Sequence, residues 1–158
     1  MRSTSGDRSS GRAGFTIVEL AIVLIISSIL IGFAVPRLQE AFQRREVTGV
    51  RDGIVLMAAQ ARARAMEQAE TIEFRLDTDD SVAVILDSGD TIDILRFGNE
   101  LGIGAEADSA VIRLCYTPRG FATTPCSTAL GGPMDVVFSR GGIESTVEIW
   151  TLGQLRKQ

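Results

Sequence analysis

Four groups of residues have types and spacings that invite chemistry. The first is a pair of acidic turns. Asp77, Asp79 and Asp80 lie within four residues, and Asp87 and Asp90 follow close behind. Carboxylates at such spacing can ligate calcium, but neither turn has the glycine at position six and the distal glutamate of an EF-hand loop. Solvated hairpin turns are the preferred reading. The second is Cys115 and Cys126, with ten residues between them. This is not the Cys-x-x-Cys spacing of a redox centre, and the basic neighbours are Arg113 and Arg119. If that part of the chain is exported, a structural disulfide is expected. The third is the basic tail, where Arg156 and Lys157 are adjacent. Two or three phosphate contacts would give weak binding with a shallow salt dependence, so a solubilising charged end is preferred to a DNA contact. The fourth is Glu19, a single carboxylate inside an apolar run.

Other chemistries lack their residues. The chain of 158 residues has no histidine and one lysine, Lys157. No serine or threonine therefore has an imidazole to activate it, and the commonest metal ligand is missing. Ala129-Leu130-Gly131-Gly132-Pro133 lacks the Lys-Ser/Thr of a phosphate loop. No enzyme, cofactor or metal is expected. Arg2, Arg8 and Arg12 against Asp7 leave +2 in the first 14 residues, so the remainder carries −6 of the total −4. An acidic body of this kind is a poor prior for binding nucleic acid.

The elements that would position these residues begin with Phe15–Val35. These 21 mostly apolar residues would make a helix about 30 Å long, enough to cross a bilayer core. A carboxylate in such a span is costly and calls for a reason. A secretory signal peptide is one reading, with a small-x-small site at Gly32-Phe33-Ala34 that would release a chain starting at Val35. A simple single-span anchor is another. Both leave Glu19 unexplained.

A third reading accounts for it. Gly14, then Phe15, then Glu19 as the fifth residue from Phe15, then an apolar helix: this order resembles the class III signal of type IV pilins and type II secretion pseudopilins. The resemblance implies that a prepilin peptidase cuts between Gly14 and Phe15 and that Phe15 is N-methylated. It also implies that Glu19 meets the terminal amine of a neighbouring subunit during assembly. Pairing offsets the cost of burying either charge alone. Ala13 stands where the family usually has a basic residue, with Arg12 one place further back, and slower processing is expected.

Pro36 should kink or loosen the helix, since it lacks an N–H and crowds the preceding turn. Beyond it Leu38, Phe42, Val47, Val50, Ile54, Met57, Ala61 and Ala65 recur near the helical period, so an amphipathic half is expected to about Gln68, packed on a head by this face. Gly49 and Gly53 would allow a strand to approach closely. The period then changes to two. Strands are expected at Thr71–Leu76, Ser81–Leu86, Thr91–Phe97, Ala110–Tyr116, Met134–Ser139 and Ile143–Thr151, with a loop over Gly98–Ser109. The fold class is α+β, one long N-terminal helix on an antiparallel head of about six strands.

The stretches AAQARARAMEQAETIEFRL, CYTPRGFA and SRGGIESTVEIWTLGQLRK are similar to the GspH/FimT group of minor pilins and pseudopilins, the last closing on a Gly-x-x-Arg-like terminus. The resemblance implies a leader at 1–14, a transmembrane and assembly helix at 15–35, an amphipathic helix half at 36–69 and a periplasmic head at 70–158. It implies a minor pseudopilin of a type II secretion system, single-pass in the bacterial inner membrane. Its partners would be other pseudopilins, the prepilin peptidase and the inner-membrane assembly platform. The alternative it implies is a FimT-like minor pilin serving pilus assembly or DNA uptake, some members of which use basic residues near this terminus.

Overall fold

Helix α1 runs without interruption from Ile17 to Gln68, 52 residues. The computed structural model describes residues 16–123, 126–128 and 131–158. Gly14 and Phe15, the expected processing site, lie outside the described residues. Pro36 sits inside α1 and does not end it. Its ring nitrogen withholds one hydrogen bond from the preceding turn, but the helical runs on both sides are long enough to carry the missing contact.

The chain divides between Gln39 and Glu40 into two compact units. The described part of the first unit is helical from Ile17, and its large apolar side chains are solvent-facing, Ile17 at 85% and Phe33 at 73% exposure. The second unit holds the rest of α1 and all the strands. There α1 buries Val47, Val50, Ile54, Met57, Ala58, Ala61 and Ala65. These are the expected helical face with two corrections at its start. Leu38 and Phe42 are exposed, at 57% and 53%. The strands first engage α1 near its residues 43–47, where Glu46 pairs with Arg140 and Val47 is buried.

Among the described residues eight strands form two antiparallel sheets. In the first, β1 (Ile72–Asp77), β2 (Val82–Asp87), β3 (Asp90–Arg96) and β5 (Val111–Tyr116) take the order β3-β2-β1-β5. In the second, β4 (Gly104–Glu106), β6 (Met134–Arg140), β7 (Ile143–Ile149) and β8 (Leu155–Lys157) take the order β4-β6-β7-β8. The six expected strands are all present, the last ending at Ile149 rather than Thr151. Two further strands and a short helix α2 (Gly98–Leu101) correct the expected count: β4 and α2 occupy the expected loop, and β8 is the basic tail.

The strand alternation points one row of each sheet into the core. Ile72, Phe74 and Leu76 of β1, Ile112 and Leu114 of β5, and Val136 and Phe138 of β6 are buried in one cluster with α1. Phe97 meets Phe138 edge to face with ring centroids 5.6 Å apart. Gly53 supplies the close approach expected of it, since a Cβ there would lie 3.2 Å from Leu95 of β3, whereas Gly49 faces open space.

Candidate functional site

The N-terminal turn of α1 is built by Thr16 and Glu19. The Glu19 N–H donates to Thr16 Oγ1 at 3.1 Å, which satisfies one of the orphan donors of the first turn. Thr16-Ile17-Val18-Glu19 is a capping-box spacing, a signal for the role of Thr16 that the sequence itself carries. Glu19 is the acidic residue of the first turn, where the helix dipole favours a negative charge. Its side chain is exposed, as are Ile17, Val18, Leu20 and Ile22 beside it. A carboxylate is therefore held at a defined point on a helix surface that is otherwise apolar. This helix is long and apolar enough to cross a membrane. Among the described residues of its own unit this surface packs on nothing, and burial requires lipid or a partner protein.

In the second unit, β5 is the edge strand of its sheet and is covered by the segment that follows it. Thr128 N–H donates to Arg113 O at 2.8 Å, and Thr123 N–H to Cys115 O at 3.1 Å. In return Arg113 N–H reaches Thr128 Oγ1 at 2.8 Å and Cys115 N–H reaches Ser127 Oγ at 2.9 Å. The Cys115–Cys126 disulfide, Cα atoms 5.7 Å apart, clips this cover in place. An otherwise open edge is thus closed against stray pairing.

The acidic turns hold themselves with hydrogen bonds. Asp77 Oδ1 accepts the Asp80 N–H at 3.0 Å, and Asp87 Oδ1 accepts the Ser88 hydroxyl at 3.2 Å. Among the described residues the one group of three candidate ligands close enough for a metal is Glu73, Cys115 and Cys126, and its two sulfurs are consumed by the disulfide.

The basic tail is part of a sheet. Leu155–Lys157 pair with β7, placing Arg156 opposite Glu148. Lys157 Nζ lies 3.0 Å from Asp52 Oδ1 of α1, and Arg51 Nη1 donates to the Gln158 carbonyl at 3.3 Å. One of the two charges proposed for DNA is therefore already engaged. Next to this tail, α1 and the 153–155 segment enclose a groove of about 420 Å³ lined by Val55, Ala59, Arg62, Met66, Tyr116 and Gly153 among others. The buried Tyr116 hydroxyl donates to Gly153 O at 2.6 Å.

Residues 9–35 match the prokaryotic N-terminal methylation motif. Among solved structures, the chain is similar in fold to the type IV minor pilin FimU of Pseudomonas aeruginosa in two crystal forms. One matches at TM-score 0.56 and 19% identity, covering 73% of this chain and 90% of that one. The other matches at TM-score 0.52 and 18% identity, covering 70% and 91%. The fold is pilin-like. The matched motif runs into α1, so Thr16, Glu19 and the first part of its apolar surface lie within the matched segment. No curated protein matches the sequence.

Proposed function

We propose that this chain is a minor structural subunit of a type IV pilin-like filament, processed between Gly14 and Phe15, N-methylated at Phe15 and joined to its neighbours through α1. The observation that carries this reading is the placement of Glu19. It is the first-turn carboxylate of an exposed apolar helix, inside a segment that matches the N-terminal methylation motif. A new ammonium group at Phe15 of a neighbouring subunit would neutralise it in an environment where either charge alone is costly. The apolar length of the helix supports a single-pass inner-membrane anchor before assembly, with the strands on the periplasmic side. The prepilin peptidase and the inner-membrane assembly platform are the partners this route requires.

Two machines build such filaments, the type II secretion pseudopilus and the type IV pilus. The C-terminal stretches are similar to the GspH/FimT group, which holds members of both, and the reading preferred here is a minor pseudopilin of type II secretion. The likeness to FimU, a type IV minor pilin, supports the pilus alternative at the level of fold. A DNA-uptake role is disfavoured by the acidic body and by the engagement of Lys157 with Asp52. Deleting the gene separates the machines: loss of secreted protein with intact pili supports the pseudopilin, and loss of pili with intact secretion supports the pilin. Mass spectrometry of the mature protein tests the common reading. A first residue of N-methylated Phe15 is expected, and a first residue of Val35 would overturn it.

A further inference from the structure

A sheet edge left open is a pairing site for any strand that reaches it. Among the described residues four strands stand at edges: β3 and β5 in the first sheet, β4 and β8 in the second. The β5 edge is covered by the segment that the disulfide clips to it. β4 and β8 are three residues each, too short to hold a visiting strand firmly, and β8 is also tied to α1 by the Lys157–Asp52 pair. That leaves β3, seven residues long and exposed along most of its length. No hydrogen bond from another segment closes its outer side among the described residues.

Backbone direction shows which groups of β3 lie on that side. The Phe97 N–H donates to Ser81 O at 3.0 Å, toward β2, so alternation turns the N–H groups of Ile94 and Arg96 to the free side. The Ile94 N–H is taken there by Asp93 Oδ1 at 2.8 Å. Asp93 stands opposite Ile85, which is fully buried, so it belongs to the row of side chains that faces the core, yet it is exposed. A charge in the inward row of an edge strand is one means by which an edge resists pairing. The register also slips between Ile85 and Leu86, a bulge that leaves Ile92 without a partner and adds local twist.

We infer that Asp93 guards β3 against pairing, and that the strand it excludes is β3 of a second copy. The order Asp90-Thr91-Ile92-Asp93-Ile94-Leu95-Arg96 is close to its own antiparallel complement. Two copies centred on residue 93 would set Asp90 opposite Arg96 at both ends and Ile92 opposite Ile94 between, each a favourable cross-strand pair. Neither Asp90 nor Arg96 has an ion pair among the described residues. At the centre Asp93 meets Asp93, and like charges directly opposite oppose pairing. The same carboxylate must also release the Ile94 N–H before a visiting carbonyl can take it. One side chain therefore blocks, by charge and by hydrogen bond, a contact that the residues on both sides of it would favour. The guard does not depend on which filament the chain joins.

The test follows association of the full chain in detergent by sedimentation, with the parent as baseline. Asp93 is exposed, so its replacement leaves the core intact. Asp93→Ala is expected to shift from the parent's size toward twice that size as concentration rises. Exchange at the Ile94 and Arg96 amides of this variant should slow about tenfold once roughly nine-tenths of the chains are paired. Asp93→Asn keeps an oxygen for the Ile94 N–H but loses the charge, and should associate more than the parent and less than Asp93→Ala. Adding Arg96→Glu to Asp93→Ala sets carboxylates opposite each other at both ends and should restore the parent's size. The parent's size for both Asp93→Ala and Asp93→Asn at every concentration would overturn the inference. So would association that leaves the Ile94 and Arg96 amides exchanging as before, or association that survives Arg96→Glu.

Discussion

Asp52, midway along the strand-packed part of α1, holds Lys157, the second-last residue of the chain, at 3.0 Å. The contact ties β8 to the helix as well as to β7. Lys157 and then Arg51 hold the Asp52 carboxyl below its ordinary range. A lowered folded-state pKa means stability that is present above the unfolded value, about 4, and is lost as pH falls through the folded one. The pair is nearly half exposed, so its worth is on the order of 0.5 kcal/mol. Asp52→Asn should speed hydrogen exchange at the β8 amides at neutral pH. At a pH low enough to protonate the folded carboxyl, the variant and the parent should exchange alike there. Equal exchange at neutral pH would show that the tail is held by its strand pairing alone.

Tyr116 and Gly153 give a second prediction. Burial pushes the Tyr116 phenol well above its ordinary value, with Arg62 acting weakly in the opposite direction. A raised folded-state pKa means stability that is complete below about pH 10 and is lost as pH rises beyond it. Trp150, the one tryptophan of the chain, lies three residues from Gly153 and provides the signal. Its fluorescence should report alkaline loosening of this corner. Tyr116→Phe should cost about 1–2 kcal/mol at neutral pH, because the buried Gly153 carbonyl loses its donor. Urea unfolding followed at Trp150 measures both effects, and the phenylalanine variant should lack the alkaline step.

Much of this architecture was legible because its elements announce themselves locally. The period-two runs at residues 71–97 became β1, β2 and β3 within a residue or two. The helical spacing from Val47 to Ala65 became the buried stripe. What escaped depends on partners distant in sequence. Gly104–Glu106 and Leu155–Lys157 are three residues each, too short to show a period, and become strands because β6 and β7 offer open edges. Leu38 and Phe42 share the spacing of the buried stripe, but periodicity says which side of a helix a residue is on and not how far the strands reach along it. At the N-terminus, Glu19 is legible by its position in an apolar run, and Thr16 by its spacing from Glu19. No local pattern singles out Gly153, whose φ of +76° and contact space, 2.6 Å from a built Cβ to Ala122, arise where two distant segments meet.

The disulfide gives a third prediction. Cys115 and Cys126 are 11 residues apart, and closing a loop of about this size removes about 3 kcal/mol of chain entropy from the unfolded state. Replacing both by serine should lower stability by about that amount. It should also raise hydrogen exchange at the amide of position 115 and at Thr123 and Thr128, whose amides bond within the β5 cover. The rest of the first sheet should be much less affected, since β1 keeps its pairing to β2 and β5. A uniform rise in exchange across both sheets would mean that the clip supports the whole unit and not its edge.

Glu19 gives the last prediction, and it separates membrane insertion from assembly. Insertion depends on apolar length, which Glu19→Val increases, so the variant should enter the membrane at least as well as the parent. Processing depends on the segment around Gly14 and Phe15 and should continue. On the proposed function, assembly requires a partner for a terminal ammonium group, and valine offers none, so an amine buried among apolar helices would stay uncompensated. Glu19→Val should therefore accumulate as a processed membrane protein while its recovery in sheared filament fractions falls at least tenfold. Glu19→Asp keeps the charge but shortens the reach, and should assemble better than the valine variant. The Thr16 cap acts on the same turn through the backbone, where Thr16→Ala costs about 1 kcal/mol of helix stability and leaves the carboxylate in place, so its filament yield should exceed that of Glu19→Val. Normal incorporation of the valine variant would remove the docking role and leave Glu19 as the acidic residue of a capping box.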